Sequence, residues 1–132
     1  MKSLRTLLLP LLLLALGACA GRAVLEDPAP IAVPTHVSLE QVRQVVRTAL
    51  DDRGWTRQDA GSQAFVASYS RRSLSARISV TYTASEVDIR YLDSEGLKYK
   101  QSGGERYIHS KYNKWIDNLV HDINTRLSRA AH

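Results

Sequence analysis

The chain has 132 residues, of which 44% are hydrophobic and 23% are charged, with a formal net charge of +5. This length suits one domain with one modest core, and so mild a basic balance gives no support to a nucleic-acid-binding protein. The single cysteine, Cys19, excludes an intramolecular disulfide and a cysteine metal site. We therefore expect a small domain stabilised by hydrophobic burial.

Residues 1–18 have the pattern of a bacterial secretory signal. Lys2 and Arg5 supply the basic start, and an apolar stretch runs over residues 7–16. Because a bilayer-spanning helix needs about 20 apolar residues, this stretch is too short to span, and we expect it to be removed. Removal of Lys2 and Arg5 leaves 16 basic and 13 acidic residues, which gives a net charge of +3.

The signal ends in the tetrapeptide Leu16, Gly17, Ala18 and Cys19. This motif resembles the lipobox of bacterial lipoproteins, in which the cysteine thiol receives a diacylglyceryl group and the new amine receives an acyl chain such as palmitate. The resemblance implies that the mature chain begins at a lipidated Cys19, since two or three acyl chains hold a protein stably to a membrane. The alternative is a cysteine that merely ends an ordinary cleavable signal.

Residues 19–35 are predicted to form the lipidated N-terminus and an extended tether. They contain Pro28, Pro30 and Pro34 and show neither a helical nor an alternating apolar period. Ala20 is not the aspartate that retains some lipoproteins in the inner membrane. The resemblance therefore implies the inner leaflet of the outer membrane, facing the periplasm.

A single periplasmic domain is predicted over residues 36–132. Ser38 and Gln41 fit a capping box at the start of a helix over residues 39–53, and apolar residues at helical spacing predict a second helix from about Ile108 to Leu127. Alternating residues predict the intervening strands. These strands lie at 55–57, 65–70, 74–82 and 87–91, with turns at 71–73 and 93–96, a short last strand at 97–99 and a loop at 101–105.

This order, α-β-β-β-(β)-α, predicts an α+β fold. Successive strands joined by short turns pair antiparallel. We therefore expect two helices packed on one face of a three- to four-stranded antiparallel meander.

Two segments of the domain carry a family resemblance. Residues 91–99 read Tyr-x-Asp-Ser-x-x-Leu-x-Tyr, and residues 108–119 read Ile-His-x-x-Tyr-Asn-x-Trp-Ile-x-x-Leu. These patterns resemble small proteobacterial lipoproteins of unknown function, and the resemblance extends more loosely over residues 38–55. It departs at Glu95 and Gly96, where the family has Asn-rich turn residues. The resemblance implies no activity.

Five polar residues near the predicted end of a strand and start of a helix form a candidate recognition site for a peptide, a glycan or a partner protein. The structural alternative is that they cap a turn, cap the helix and fill the core. The five are Asp93, Ser94, His109, Tyr112 and Asn113.

Arg71, Arg72 and Arg77 place positive charge around the predicted strand turns. If these turns converge, they form a basic patch that suits phosphate-bearing lipid A or acidic cell-wall polymers. The alternative is an ordinary solvated surface. Aromatic residues do not interleave with these charges, which disfavours single-stranded nucleic acid.

The sequence gives little support for catalysis or metal binding. Ser94 or Ser102 with His109 suggests a triad, but there is no Gly-x-Ser-x-Gly nucleophile motif. The four histidines, at 36, 109, 121 and 132, lack the spacing of metal ligands. We therefore predict no enzyme activity, no metal and no cofactor.

The predicted function is that of a membrane-anchored periplasmic lipoprotein, a non-catalytic binding or scaffold module of the cell envelope. Its expected partners are the membrane, through the lipid, and an envelope protein or cell-wall polymer. The alternative is a binder of peptidoglycan or lipopolysaccharide, and a small envelope hydrolase is less favoured.

Overall fold

The computed structural model describes residues 21–132, so Leu16, Gly17, Ala18 and Cys19 lie outside the described residues. The described chain has two helices, α1 (Leu39–Asp52) and α2 (Ser110–Ala130). It has eight strands: β1 (Arg22–Val24), β2 (Ile31–Ala32), β3 (Thr56–Asp59), β4 (Ala64–Arg71), β5 (Leu74–Tyr82), β6 (Glu86–Glu95), β7 (Lys100–Ser102) and β8 (Glu105–His109).

The strands form two antiparallel sheets. Five strands pair in the order β2-β6-β5-β4-β3, and three pair in the order β1-β8-β7. The predicted α+β class is therefore confirmed. The predicted single meander of three or four strands is wrong in the number of strands and in their order.

Two of the additional strands come from the segment that was predicted to be a tether. β1 pairs with β8 and β2 pairs with β6, while Leu25 and Ile31 are buried in the core. The Asp27 carboxylate holds this segment in place, since it accepts hydrogen bonds from the Tyr91 backbone N–H at 2.9 Å and from the Arg106 guanidinium at 3.0 Å. Most of this segment is therefore packed on the domain.

A β-bulge explains the longer β6. Arg77 is paired with Asp93, but the next residue of β5, Ile78, is paired with Tyr91, which leaves Leu92 as the extra residue. β6 continues through most of the predicted turn at 93–96 and ends at Glu95. Farther on, the predicted strand at 97–99 is wrong, since these residues belong to no strand, and the predicted loop at 101–105 lies within the β7–β8 hairpin.

The core is one apolar cluster formed by both helices and the inward residues of the sheets. The capping box begins α1 as predicted, with Gln41 N–H donating to the Ser38 hydroxyl at 3.2 Å and Ser38 N–H donating to the Gln41 side chain at 2.8 Å. α2 begins later than predicted. Ile108 belongs to β8, and His109 caps the helix.

Candidate functional site

Two of the five predicted recognition residues lie at the end of β6. Asp93 is exposed and forms an ion pair with Arg77 across the sheet, with an N–O distance of 3.0 Å. The Ser94 hydroxyl is 2.7 Å from the Tyr91 hydroxyl. Both residues border a surface cavity of about 620 Å³ that also includes Tyr99.

The other three predicted recognition residues support the structure around α2. His109 is its N-cap, with Nδ1 accepting from the Lys111 backbone N–H at 3.1 Å. The Asn113 side-chain amide donates to the Val24 carbonyl at 3.0 Å and borders a different cavity, beside Asp27. Tyr112 is in the core, 2% exposed. The structure therefore distributes the five residues over separate contacts instead of assembling them in one pocket.

A cluster of three tyrosines connects β6 to α2. Tyr91 stacks on Tyr99 with ring centroids 4.8 Å apart, and the Tyr112 ring meets Tyr91 edge-on at 5.4 Å. Burial raises the pKa of the Tyr112 phenol far above its ordinary value, and burial also raises the pKa of Tyr91, against a smaller opposing effect of the Ser94 hydrogen bond. Both phenols are therefore neutral at physiological pH, and the cluster is suited to packing, not to proton transfer.

A second feature, the basic cavity, lies between the β4–β5 hairpin and the first turns of α2. Its volume is about 310 Å³, within the range of small-ligand sites. Four of its seven lining residues are cations and the other three are uncharged. The cations are Arg71, Arg72, Lys111 and Lys114, and the uncharged residues are Leu74, Trp115 and Asn118.

The fold brings the hairpin and the helix together through aromatic packing. The edge-on contact of Tyr69 on β4 with Trp115 on α2 has a centroid distance of 4.8 Å, and Tyr69 also packs on Trp55 at 5.3 Å. Because Arg71 follows Tyr69 by two residues and Lys114 precedes Trp115, this contact places the cations of both elements around one depression. Trp115 forms part of its lining.

The four cations of the basic cavity form no ion pair within residues 21–132. The eight ion pairs within residues 21–132 occupy seven other arginines, each facing an aspartate, and include none of the four cavity cations. Most arginines of the described domain therefore have an ionic partner in the fold, whereas the cavity presents its cations to solvent. This arrangement favours an external anion as their partner.

The position of Lys111 and Lys114 works against helix stability. Lys111 lies in the first turn of α2, where the helix dipole favours acidic residues, and no acidic residue occupies that turn. Residues three apart on a helix are neighbours, so the two like charges also repel each other. A bound anion would offset both the unfavourable dipole interaction and the repulsion between the two lysines.

Arg72 adds a further local cost. Its φ of +58° is in the left-handed region, which is unfavourable for residues other than glycine. Arg71 pairs with Leu74, so Arg72 and Ser73 form the two-residue turn of the hairpin. A glycine would suit this backbone better, and the arginine supplies a cation there instead. Strain of this kind is concentrated at functional sites.

Arg77, the third residue of the predicted basic patch, is not in the basic cavity. The period of two along β5 puts its side chain on the exposed face of the sheet, opposite buried Ala76 and Ile78. There it is neutralised by Asp93. The predicted patch is thus divided between two locations, and one of its members meets a residue of the predicted recognition site.

No family model, curated protein or solved structure matches the chain. In residues 21–132, no three His, Cys, Asp or Glu side chains are grouped as metal ligands. Over the same residues, no helix is both long enough and apolar enough to cross a membrane. The basic cavity is therefore assigned on its geometry and charge alone.

Sequence reasoning found Arg71 and Arg72 but missed the contribution of α2. Lys111 and Lys114 look like ordinary residues of a solvated helix face. The sequence signal for this contribution was the position of Lys111, since a lysine in the first turn of a helix opposes the helix dipole.

Proposed function

We propose that this chain is a lipid-anchored, non-catalytic binding module of the bacterial cell envelope, and that the basic cavity is its binding site for a phosphate-bearing ligand. The observation that carries the proposal is the convergence on one cavity of four cations that form no ion pair within residues 21–132. Among the envelope ligands considered from the sequence, the proposal favours those that bear phosphate.

Phosphate suits this cavity for two reasons. Arginine offers a planar fork of donors that matches phosphate oxygens, and lysine supplies a compact point charge. Trp115 gives the same cavity an apolar wall, so a phosphate attached to a larger organic group has surface to contact. An uncharged glycan would leave the four cations without a partner.

The anchor is proposed from the sequence motif at Cys19. Its position after Leu16, Gly17 and Ala18 is the pattern that resembles a lipobox. Acylation there would confine the module to a membrane surface, which is where phosphate-bearing lipids are concentrated.

The binding proposal is tested by titrating the protein with inorganic pyrophosphate. The chain has two tryptophans, so a Trp55→Phe variant leaves Trp115 as the reporter in the cavity. We expect its fluorescence to saturate with pyrophosphate. Lys114→Gln should weaken the apparent Kd by about tenfold, because a charge-assisted hydrogen bond contributes about 1.5 kcal/mol. The protein is extracted from membranes in a neutral detergent for this measurement.

Two further variants make the titration specific. Arg72→Gly removes a cation and relieves the left-handed strain, so it should weaken binding while stabilising the fold by about 1 kcal/mol. Arg129→Gln removes one exposed charge from the other end of α2, about 27 Å along the helix from Lys111, and should bind normally. Equal Kd values for wild type, Lys114→Gln and Arg72→Gly would contradict the proposed site.

The anchor is tested separately by metabolic labelling. Cells that express the full chain are grown with an alkyne analogue of palmitate, and we expect label on the wild type and none on Cys19→Ser. Mass spectrometry of the N-terminal peptide should show acyl chains on residue 19. If the wild-type protein is cleaved before Cys19 but carries no lipid, it is an ordinary secreted protein and the proposed anchor is wrong.

A further inference from the structure

Gly21 is fixed against the start of α2. Its carbonyl oxygen accepts a hydrogen bond from the Ser110 backbone N–H at 2.5 Å. Its α-carbon lies beside the His109 ring, since a β-carbon at this position would be 3.1 Å from Nε2. The following residue begins β1, which pairs with β8. Gly21 is therefore held next to the helical turn that carries Lys111.

This contact limits the distance between the proposed anchor and the basic cavity. Cys19 precedes Gly21 by two residues, and two residues span at most about 7 Å. A diacylglyceryl group on Cys19 would therefore enter the membrane near the end of the domain at which α2 begins. Lys111 and Lys114 lie at that same end, in the first turns of the helix.

We infer that the basic cavity binds the headgroup phosphates of the membrane that holds the anchor, and so docks the domain directly on the bilayer surface. This inference rests on the proposed function, because it requires both the lipid on Cys19 and an anion site in the cavity. It adds the source of the phosphate: lipids beside the anchor, not a free solute or a distant polymer.

The energetics favour this source. Basic side chains are attracted to an anionic membrane surface and the attraction grows with their number, so four of them together favour membrane lipids as the source. A ligand that shares a surface with the anchor also has a high effective concentration, because binding becomes an event within one assembly. Arg22 is exposed directly after Gly21 and adds a fifth cation close to the anchor.

The experiment uses the lipidated protein with Trp55→Phe, reconstituted in two kinds of vesicle. One kind is phosphatidylcholine alone, and the other contains one quarter phosphatidylglycerol. Quenching of Trp115 by an aqueous quencher such as acrylamide reports its contact with water. We expect the quenching constant to fall by at least half in the anionic vesicles relative to the neutral ones. Molar salt should reverse this fall, since it shortens the screening length to about 3 Å.

Variants separate docking from mere proximity to the membrane. A double variant, Arg71→Gln with Lys114→Gln, should show equal quenching in the two kinds of vesicle, whereas Arg129→Gln should behave as wild type. Near-ultraviolet circular dichroism checks that each variant is folded.

The outcomes also separate this inference from the proposed function. If pyrophosphate binds in detergent but Trp115 is equally quenched in both kinds of vesicle, the headgroup inference is wrong and the anion site stands. If pyrophosphate does not bind either, both fail. Protection in anionic vesicles that the double variant retains would place the membrane contact elsewhere and overturn the inference.

Discussion

Tyr112→Ala is expected to destabilise the domain by about 4 kcal/mol, the cost of truncating a large aromatic side chain in a packed core. Tyr112 is 2% exposed, and its ring packs edge-on against Tyr91. Removing it would also leave Tyr91 without one of its two ring neighbours. Chemical denaturation of the wild type and the variant measures the difference in the free energy of unfolding.

Tyr112→Phe is the matched control. It keeps the ring and its packing and loses only the hydroxyl, so we expect a change below about 1.5 kcal/mol. The pair of variants also tests the recognition site that the sequence suggested. If Tyr112→Ala has wild-type stability, the side chain does not stabilise the core, and Tyr112 is again a candidate binding residue.

Gly96→Ala is expected to cost about 3 kcal/mol. Gly96 has a φ of +74°, and a β-carbon there would lie 2.6 Å from the Ser73 carbonyl oxygen. The left-handed backbone alone costs a non-glycine residue about 1 to 2 kcal/mol, and a clash with backbone adds to it because the hairpin must move away. The measurement is again the free energy of unfolding by denaturant.

Gly104→Ala isolates the clash from the backbone strain. Gly104 has a similar φ, +80°, but a β-carbon there would meet nothing within 4 Å. We expect this variant to lose only about 1 kcal/mol. If both alanine variants lose the same free energy of unfolding, the close approach of Gly96 to the Arg72-Ser73 turn does not contribute to the cost of the substitution.

The parts of the fold that were predictable are those with a strong local period. The helix cap at Ser38 and the exact bounds of β5, residues 74–82, follow from side-chain pattern alone. β1 and β2 were not predictable, because they are short, lie in a Pro-containing segment and exist through pairing with distant strands. The bulge at Leu92 was equally hidden, since an inserted residue breaks the alternation on which strand prediction depends.

The basic cavity illustrates the same limit. Arg71 and Arg72 are adjacent in sequence, so their joint position at a hairpin was visible. Their approach to Lys111 and Lys114 depends on how α2 packs against the β4–β5 hairpin, and no local sequence pattern encodes that packing. Arg77 is close to Arg71 and Arg72 in sequence but does not line the cavity. Its position on β5 places it beside Asp93, with which it forms an ion pair.

The pairing of β1 with β8 has a consequence for the order of events during biosynthesis. Arg22 lies opposite His109, so the three-stranded sheet closes only after almost the entire chain is available, and such non-local contacts form late. If the chain is exported N-terminus first, as the proposed signal implies, β1 has no partner strand until β8 has emerged. We therefore expect the proposed processing at Cys19 to take place before β1, which begins at Arg22, is paired.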